Sequence, residues 1–287
     1  MARNGDKSPP ARRRANRAGD GRAAGFTLVE LLVVVGIIGA LAGLLIPTMM
    51  KARQITAKTV CASNIRLLQL ANQLYERDNQ GHYAPGSPHM VPDPAVRRDP
   101  LVNKVRWFGK RTSLDEPFSR TGGPLSEYLP GQMVKGCPSF EDFARGFEAG
   151  CGGYGYNNSF VGQYVVRSGK KYKRANPRWH LSGNRADSFF DHQRTVAFTD
   201  TAFVDGGLIE YSFCESPTWP LYGTAPRPTI HFRHLGKANV VWLDMSVTEE
   251  RMTFSNDVMT GNPYSGSPAD FEVGWFGPRT NELFDCE

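Results

Sequence analysis

The sequence predicts an α+β protein in which one long N-terminal helix packs on a small antiparallel sheet with long loops. Three features predict this: an uncharged apolar run over residues 31–50, a helical amphipathic pattern after it, and short alternating apolar segments near the C-terminus. With 287 residues, 40% of them hydrophobic, the chain suffices for one globular domain and an extension. Its 30 glycines and 20 prolines predict a loop-rich globular part.

The first 25 residues are strongly basic. They hold seven lysine and arginine residues against two acidic ones, which accounts for most of the net charge of +6. The rest of the chain is nearly neutral, so the overall charge does not indicate a nucleic-acid-binding protein. Under the positive-inside rule, the basic segment stays in the cytoplasm and the C-terminal part is exported.

The apolar run over residues 31–50 is long enough to cross a membrane. As a helix these residues would extend about 30 Å, the hydrocarbon thickness of a bilayer. We therefore predict a membrane span at about residues 28–50. Glu30 lies at its start, although a carboxylate is costly in lipid. Pro47 lies near its end and removes a backbone hydrogen bond, so we expect a bend there.

The helix is predicted to continue as far as Asp78, because asparagine and glycine at 79 and 81 are typical of helix ends. We thus expect a leader over residues 1–25, a helix over 26–80 and a globular head over 81–287. The predicted buried face comprises Cys61, Ile65, Leu68, Ala71 and Tyr75, widened by Leu67, Leu70 and Leu74.

The head is predicted to combine a few strands with long loops. Residues 84–135 carry many turn signals and little periodicity, so we expect a long loop region there. Asp244, Met245 and Ser246 are predicted to join the last two strands as a hairpin. The predicted strands are 195–199, 208–213, 238–243 and 247–252.

Residues 25–34, Gly-Phe-Thr-Leu-Val-Glu-Leu-Leu-Val-Val, resemble the processing and methylation motif of type IV prepilins and type II secretion pseudopilins. The resemblance implies a pilin-like fold, cleavage by prepilin peptidase between Gly25 and Phe26, and N-methylation of Phe26. It also implies assembly with other pilin-like subunits, through an inner-membrane platform, into a type II secretion pseudopilus or a type IV pilus. Such a protein is a structural subunit and not an enzyme. It would cross the inner membrane once, with its N-terminus in the cytoplasm and its head in the periplasm.

In proteins with this motif, the carboxylate equivalent to Glu30 is thought to pair with the N-terminal amine of a neighbouring subunit. Pairing with the amine of Phe26 would neutralise both charges in a low dielectric. The other interpretation is that Glu30 lies in the headgroup layer near the start of the helix.

Several head segments resemble a planctomycete-type subfamily of pseudopilin-like proteins with a late H-x9-D-G motif. Met245 stands where that subfamily has glycine, so it would cost energy if the hairpin turn requires a positive φ there. The matching segments are residues 61–66 and 75–83, Cys137-Pro138, Tyr-Gly-Tyr-Asn at 154–157, and His234 followed ten residues later by Asp244.

The sequence contains no hydrolase, metalloprotease or nucleotide-binding motif, so we expect no catalytic residues. His231, His234, Asp200 and Asp244 could ligate a metal, or act as acid and base, if the strands bring them together. We prefer the interpretation that Arg233, His234 and Asp244 form hydrogen bonds that fix the hairpin.

We expect no resident cofactor, although some type II pseudopilins bind calcium in a late loop. Calcium stays open without assigned ligands; Asp200, Asp205 and Asp244 carry suitable oxygens. The cysteine spacings match no zinc pattern, so thiolate ligation of a metal is not expected. Disulfide pairing stays open among the five cysteines, which are Cys61, Cys137, Cys151, Cys214 and Cys286.

Residues 150–185 contain no acidic residue, and basic residues alternate there with aromatic ones. Lys170, Lys171, Lys173 and Arg174 form a candidate anion-binding patch. We prefer a solvated loop and do not expect nucleic acid as a partner.

An alternative function is a bitopic envelope protein that does not polymerise and whose head binds a ligand, nucleic acid or an anionic polymer. Glu30 discriminates the two functions, because a plain anchor gains nothing from a carboxylate at that depth. A conventionally exported protein, cut after the Ala-Leu-Ala sequence at 40–42, is a weaker alternative.

Overall fold

The computed structural model describes residues 25–90, 100–140, 146–169, 171–176, 178–256 and 264–285. Its contacts divide the chain into two units, Met1–Met49 and Met50–Glu287. The predicted α+β fold is confirmed: one long helix, α1 (Leu28–Asp78), precedes small antiparallel sheets. Most of the leader, residues 1–24, lies outside the described residues.

The first part of α1 is apolar and exposed. Its large hydrophobic side chains are accessible from Leu28 to Ile46, and the helix is long and apolar enough to cross a membrane. Pro47 lies inside the helix, which continues on both sides of it. Because proline has no amide hydrogen, the carbonyl of Gly43 loses its helical donor there. The bend expected at Pro47 stays a prediction.

The second part of α1 packs on the head along the face that the sequence predicted. Cys61, Ile65, Leu68 and Ala71 are buried, and Tyr75 packs against the core. The predicted widening of this face is wrong for Leu70, which is 38% exposed, and for Leu74, which is 37% exposed, whereas Leu67 is half-buried. Polar residues are buried instead, namely Asn64, Gln69 and Asn72.

These polar residues bind the head. Gln69 Nε2 donates to the carbonyl of Leu243 at 2.9 Å, and Asn64 Nδ2 donates to the hydroxyl of Tyr154 at 3.1 Å. Asn72 Oδ1 accepts the backbone amide of Ala84 at 3.0 Å. The contact between helix and head is therefore specified by hydrogen bonds as well as by apolar packing.

The described head contains short strands and 3-10 segments. The strands are β1 (Val105–Arg106), β2 (Gly109–Lys110), β3 (Tyr154–Tyr156), β4 (Val165–Ser168), β5 (Lys171–Arg174), β6 (Val196–Asp200), β7 (Phe203–Val204), β8 (Leu208–Ile209), β9 (Ile230–His231), β10 (Lys237–Trp242), β11 (Val247–Arg251) and β12 (Val273–Gly274). The 3-10 segments are Ser126–Tyr128, Pro130–Gln132, Pro138–Phe140, Ala186–Ser188 and Pro268–Phe271.

The main sheet has four antiparallel strands in the order β11-β10-β6-β3. Val240 pairs with Thr199, and Tyr156 pairs with Phe198, so the tyrosine-rich β3 lies beside β6. Three of the predicted strands appear here as β6, β10 and β11 within one or two residues of the expected bounds. The strand β3 was not predicted.

The predicted strand 208–213 is shorter in the structure, where β8 ends at Ile209. The carbonyl of Ser212 instead accepts the amide of Tyr156 at 3.0 Å and the indole of Trp107 at 2.7 Å. These long-range hydrogen bonds engage the Ser212 carbonyl, which a longer strand would use for pairing. The described part of 84–135 is a loop region, as predicted, with a short hairpin of β1 and β2.

Candidate processing segment and head cluster

The segment from Gly25 to Glu30 lies at the start of α1 and is accessible. Phe26 is 75% exposed, and no atom lies within 4 Å of the position that a Cβ would occupy at Gly25. Both residues precede the first helical residue, Leu28. The peptide bond between them thus lies in exposed backbone outside the helix, where a protease can reach it.

Thr27 and Glu30 form a reciprocal cap at the helix start. Glu30 Oε2 accepts the amide of Thr27 and its hydroxyl, each at 2.8 Å, and the Glu30 amide donates to Thr27 Oγ1 at 3.2 Å. This is a capping box, which satisfies amide groups that have no helical partner. The signature of threonine followed three residues later by glutamate is visible in the sequence, but sequence reasoning had not assigned it this role.

The head contains a buried polar cluster at the end of β6. Asp200 Oδ1 lies 2.7 Å from Arg233 Nη2, and Asp200 Oδ2 lies 3.3 Å from His234 Nε2. The amide of Asn239 donates to Oδ2 at 2.8 Å. Burial alone would raise the pKa of Asp200, but Arg233 and His234 hold it below its usual range.

Two cysteines join this cluster. Cys61 of α1 and Cys137 form a disulfide, and Cys137 Sγ lies 3.7 Å from His234 Nε2. Among the other described cysteines, Cys151 and Cys214 are buried free thiols whose pKa is raised by burial. Cys286 lies outside the described residues. The pairing that the sequence left open is thus Cys61 with Cys137.

The other candidate metal and acid–base residues are not part of the group of side chains that lies around Asp200 and His234. His231 Nδ1 lies 3.3 Å from Arg233 Nη1, and burial lowers the pKa of His231 to about 3. Asp244 follows β10 at the end that pairs with Val196, whereas Asp200 ends β6 at the opposite end of this antiparallel pair. Asp205 is exposed and accepts the amide of Ser265 at 3.3 Å.

The three residues of the head motif form hydrogen bonds or ion pairs at two different places. Asp244 Oδ1 accepts the amide of Ser246 at 2.9 Å and so fixes the hairpin turn. Arg233 and His234 instead bind Asp200, because the loop after β9 places them at the other end of the sheet.

The hairpin turn has a positive φ at Met245, the position where the similar subfamily has glycine. Met245 has φ of 75°, its amide donates to the carbonyl of Trp242, and the amide of Trp242 donates to Ser246. This pattern is a three-residue loop closed by a residue in the left-handed region. Arg66 of α1 donates to the carbonyl of Met245 at 3.1 Å, so the turn also contacts the helix.

The candidate anion-binding patch lies on the hairpin of β4 and β5. Lys171, Lys173 and Arg174 are exposed, while Lys170 lies outside the described residues. The aromatic residues between them pack inward. The Arg174 guanidinium lies 5.1 Å from the ring of buried Trp179, and the ring of Tyr172 lies 5.1 Å from that of Phe160.

A cavity of about 430 Å³ lies in the head beside Trp179, Trp219 and Tyr222. Glu215 lines it and accepts hydrogen bonds from Trp219 Nε1 at 2.6 Å and from the Tyr211 hydroxyl at 3.0 Å. Burial raises the pKa of Glu215. This aromatic cavity is a place where the head of a non-polymerising protein could bind a ligand.

Comparisons with known proteins give one family match and several similar proteins. Residues 21–46 match the family described as the prokaryotic N-terminal methylation motif. The chain is 31% identical to type II secretion system core protein G of Aeromonas hydrophila over 116 residues, which are 40% of this chain and 78% of that protein.

Other similar proteins match over shorter stretches. The core protein G of Pectobacterium carotovorum is 33% identical over 33% of this chain and 62% of its own length. The type IV wide pilus major component PilA4 of Thermus thermophilus is 38% identical over 21% of this chain and 46% of its own length. No solved structure matches the chain.

Proposed function

Since the chain belongs to the pilin-like family that includes type II secretion system core protein G, we propose that prepilin peptidase cuts it between Gly25 and Phe26. Phe26 then becomes the N-methylated first residue, and the leader of residues 1–25 is lost. The mature chain comprises the helix over 26–80 and the head over 81–287, and it polymerises through its helix into a type II secretion pseudopilus or a type IV pilus.

The observation that carries this proposal is the exposed processing segment followed directly by an exposed apolar helix. Among the described residues, the large hydrophobic side chains from Leu28 to Ile46 are exposed. Exposed apolar surface of this extent requires lipid or another protein. A membrane covers it before assembly, and the helices of neighbouring subunits cover it in the filament.

The proposal includes an orientation. The basic leader stays in the cytoplasm, the span crosses the inner membrane, and the head faces the periplasm. The Cys61–Cys137 disulfide supports an exported head, because disulfides persist in oxidising compartments. The partners are prepilin peptidase, other pilin-like subunits and an inner-membrane assembly platform.

Glu30 has two successive roles in this proposal. In the single subunit it caps the helix through Thr27. During assembly, the carboxylate also pairs with the amine of Phe26 on a neighbouring subunit, which neutralises both charges away from water.

Cleavage is tested by the intact mass and N-terminal sequence of the protein purified from the membranes of its host. We expect a chain that begins at N-methylated Phe26. A chain that begins at Met1 would contradict processing, and one that begins after Ala42 would show a conventional signal peptide.

The role of the Glu30 charge is tested by comparing Glu30→Gln with Glu30→Ala. Glutamine preserves the capping box without the charge, whereas alanine removes both. We expect both variants to insert into membranes, measured by resistance to alkaline extraction. Both should yield about tenfold less filament protein in the sheared or pelleted fraction, because the amine loses its charged partner.

Normal filaments from Glu30→Gln would show that the cap alone is required and would overturn the pairing. Normal filaments from both variants, with the apolar helix intact, would favour the non-polymerising envelope protein. Thr27→Ala is the matched control, because it weakens the cap and leaves the charge of Glu30 in place.

A further inference from the structure

Four buried side chains from separate parts of the chain meet beside the second part of α1. Cys61 comes from the helix, Cys137 precedes the 3-10 segment Pro138–Phe140, Asp200 ends β6, and His234 follows β9. Their candidate ligand atoms all lie within 4.8 Å of one another. None of the four residues is more than 2% exposed.

Two ligand-to-ligand distances in this cluster match those of a tetrahedral zinc site. With the usual bond lengths, zinc separates a sulfur from a nitrogen ligand by about 3.6 Å, and an oxygen from a nitrogen ligand by about 3.3 Å. Cys137 Sγ lies 3.7 Å from His234 Nε2, which lies 3.3 Å from Asp200 Oδ2. The two sulfur atoms must separate from their bonded distance to about 3.8 Å.

The surroundings suit a metal with these ligands. Arg233 holds Asp200 Oδ1 at 2.7 Å, and the Asn239 amide and side chain hold Oδ2 at 2.8 and 3.0 Å. Such outer hydrogen bonds orient a ligating carboxylate. Zinc with two thiolates and one carboxylate carries one net negative charge, which the guanidinium of Arg233 balances.

An ion can reach the cluster from solvent. His234 and Arg233 line a polar cavity of about 270 Å³ together with Gln54, Ser139 and Glu272. A small hydrated cation can enter such a cavity, and an entry path is one requirement of a functional metal site.

We propose that the reduced form of this cluster binds one Zn²⁺ ion through Cys61, Cys137, Asp200 and His234. A phosphine and one water molecule reduce the disulfide to two thiols and leave the phosphine oxide. Zinc then displaces both thiol protons, and His234 binds through Nε2 with its remaining proton on Nδ1. The helix is thus tied to the head by a disulfide when oxidised and by zinc when reduced.

The test uses the full chain purified in detergent and reduced with a water-soluble phosphine, because dithiols chelate zinc. After zinc is added and excess removed, elemental analysis should give about one zinc per chain in the reduced protein and none in the oxidised protein. Cobalt in place of zinc should produce visible bands with thiolate charge transfer, which report a tetrahedral thiolate site. Zinc should also raise the unfolding temperature of the reduced chain and leave that of the oxidised chain unchanged.

His234→Gln separates ligation from the disulfide, since it leaves both cysteines in place. We expect the zinc affinity of the reduced variant to fall by about 100-fold or more. Cys214→Ser is the matched control, because it removes a buried free thiol that is not part of the cluster, and it should keep one zinc per chain.

A reduced chain with free thiols that binds no zinc, and whose unfolding temperature zinc leaves unchanged, would overturn the proposal. So would full zinc affinity in folded His234→Gln, or a cobalt complex without thiolate charge transfer. These outcomes do not depend on filament assembly, so they leave the proposed function unaffected.

Discussion

Met245 occupies a backbone conformation that favours glycine. Its φ of 75° closes the turn between β10 and β11. A residue with a side chain in the left-handed region destabilises the folded state by about 1–2 kcal/mol. Glycine avoids this cost, but part of the benefit is offset because glycine loses more conformational entropy on folding. The residue therefore carries local strain that the surrounding hydrogen bonds hold in place.

We expect Met245→Gly to stabilise the head by about 0.5–1 kcal/mol, since the turn keeps its backbone bonds while the strain is relieved. Thermal or urea unfolding of the full chain in detergent measures this change. Met245→Ala is the control and should not stabilise, because alanine keeps the unfavourable φ. Equal stability of all three chains would show that the turn is not strained.

Glu30 and Asp200 show that a carboxylate can have different structural roles. The carboxylate of Glu30 is exposed and bonded within its own helix turn. The carboxylate of Asp200 is fully buried and bonded to residues 33, 34 and 39 positions away. A hydrogen-bond partner close in the sequence can be predicted from residue spacing, whereas a distant partner is known only from the folded structure.

At the scale of the element, α1 differs from a simple amphipathic helix. Leu70 lies nine residues after Cys61, about two and a half turns, so it points away from the head. The head side is completed by Asn64, Gln69 and Asn72 instead. The apolar pattern assigns Leu70 to the buried face, because hydrophobicity alone does not identify which polar side chains find buried hydrogen-bond partners.

We expect Gln69→Ala to destabilise the head by about 1–3 kcal/mol. It removes a buried donor to the Leu243 carbonyl and the acceptor of Asn72 Nδ2. Leu70→Ala is the matched control on the exposed side of the same helix turn and should change stability by less than about 0.5 kcal/mol. Urea unfolding followed by tryptophan fluorescence gives both values. A larger loss for Leu70→Ala than for Gln69→Ala would contradict this helix orientation.

At the scale of the whole molecule, the chain divides into Met1–Met49 and Met50–Glu287. Among the residues that the structure describes, the buried hydrophobic core begins at Cys61 and lies in the second unit. The first unit provides the exposed apolar helix and the processing segment. The exposed apolar surface and the described core therefore belong to different units.

We expect a chain of residues 50–287 to fold without detergent, because residues 25–49, the described part of the removed segment, contribute no side chain to the core. Its unfolding temperature should lie within about 5 °C of that of the full chain in detergent. Size-exclusion chromatography and thermal unfolding are the measurements, with the Cys61–Cys137 disulfide checked by mass. Aggregation or loss of cooperative unfolding would show that the first unit supports the head.

The basic hairpin of β4 and β5 shows the limit of local patterns. Alternating lysines and aromatic residues suggested an anion-binding surface, but Trp179 is buried and Tyr172 packs on Phe160. The cations remain exposed, while the rings contribute to the core. Whether an aromatic side chain is free to stack depends on the packing around it and not on its spacing.

Local patterns in the sequence were sufficient to predict the pilin-like family, the long apolar helix, three strands of the main sheet and the loop-rich head. These features depend on contiguous residues, so periodicity and motifs reveal them. The folded structure was needed to show that Cys61 pairs with Cys137 beside Asp200 and His234, and that polar residues of α1 bind the head. Contacts between residues far apart in the chain depend on how the loops close, and no local pattern encodes that.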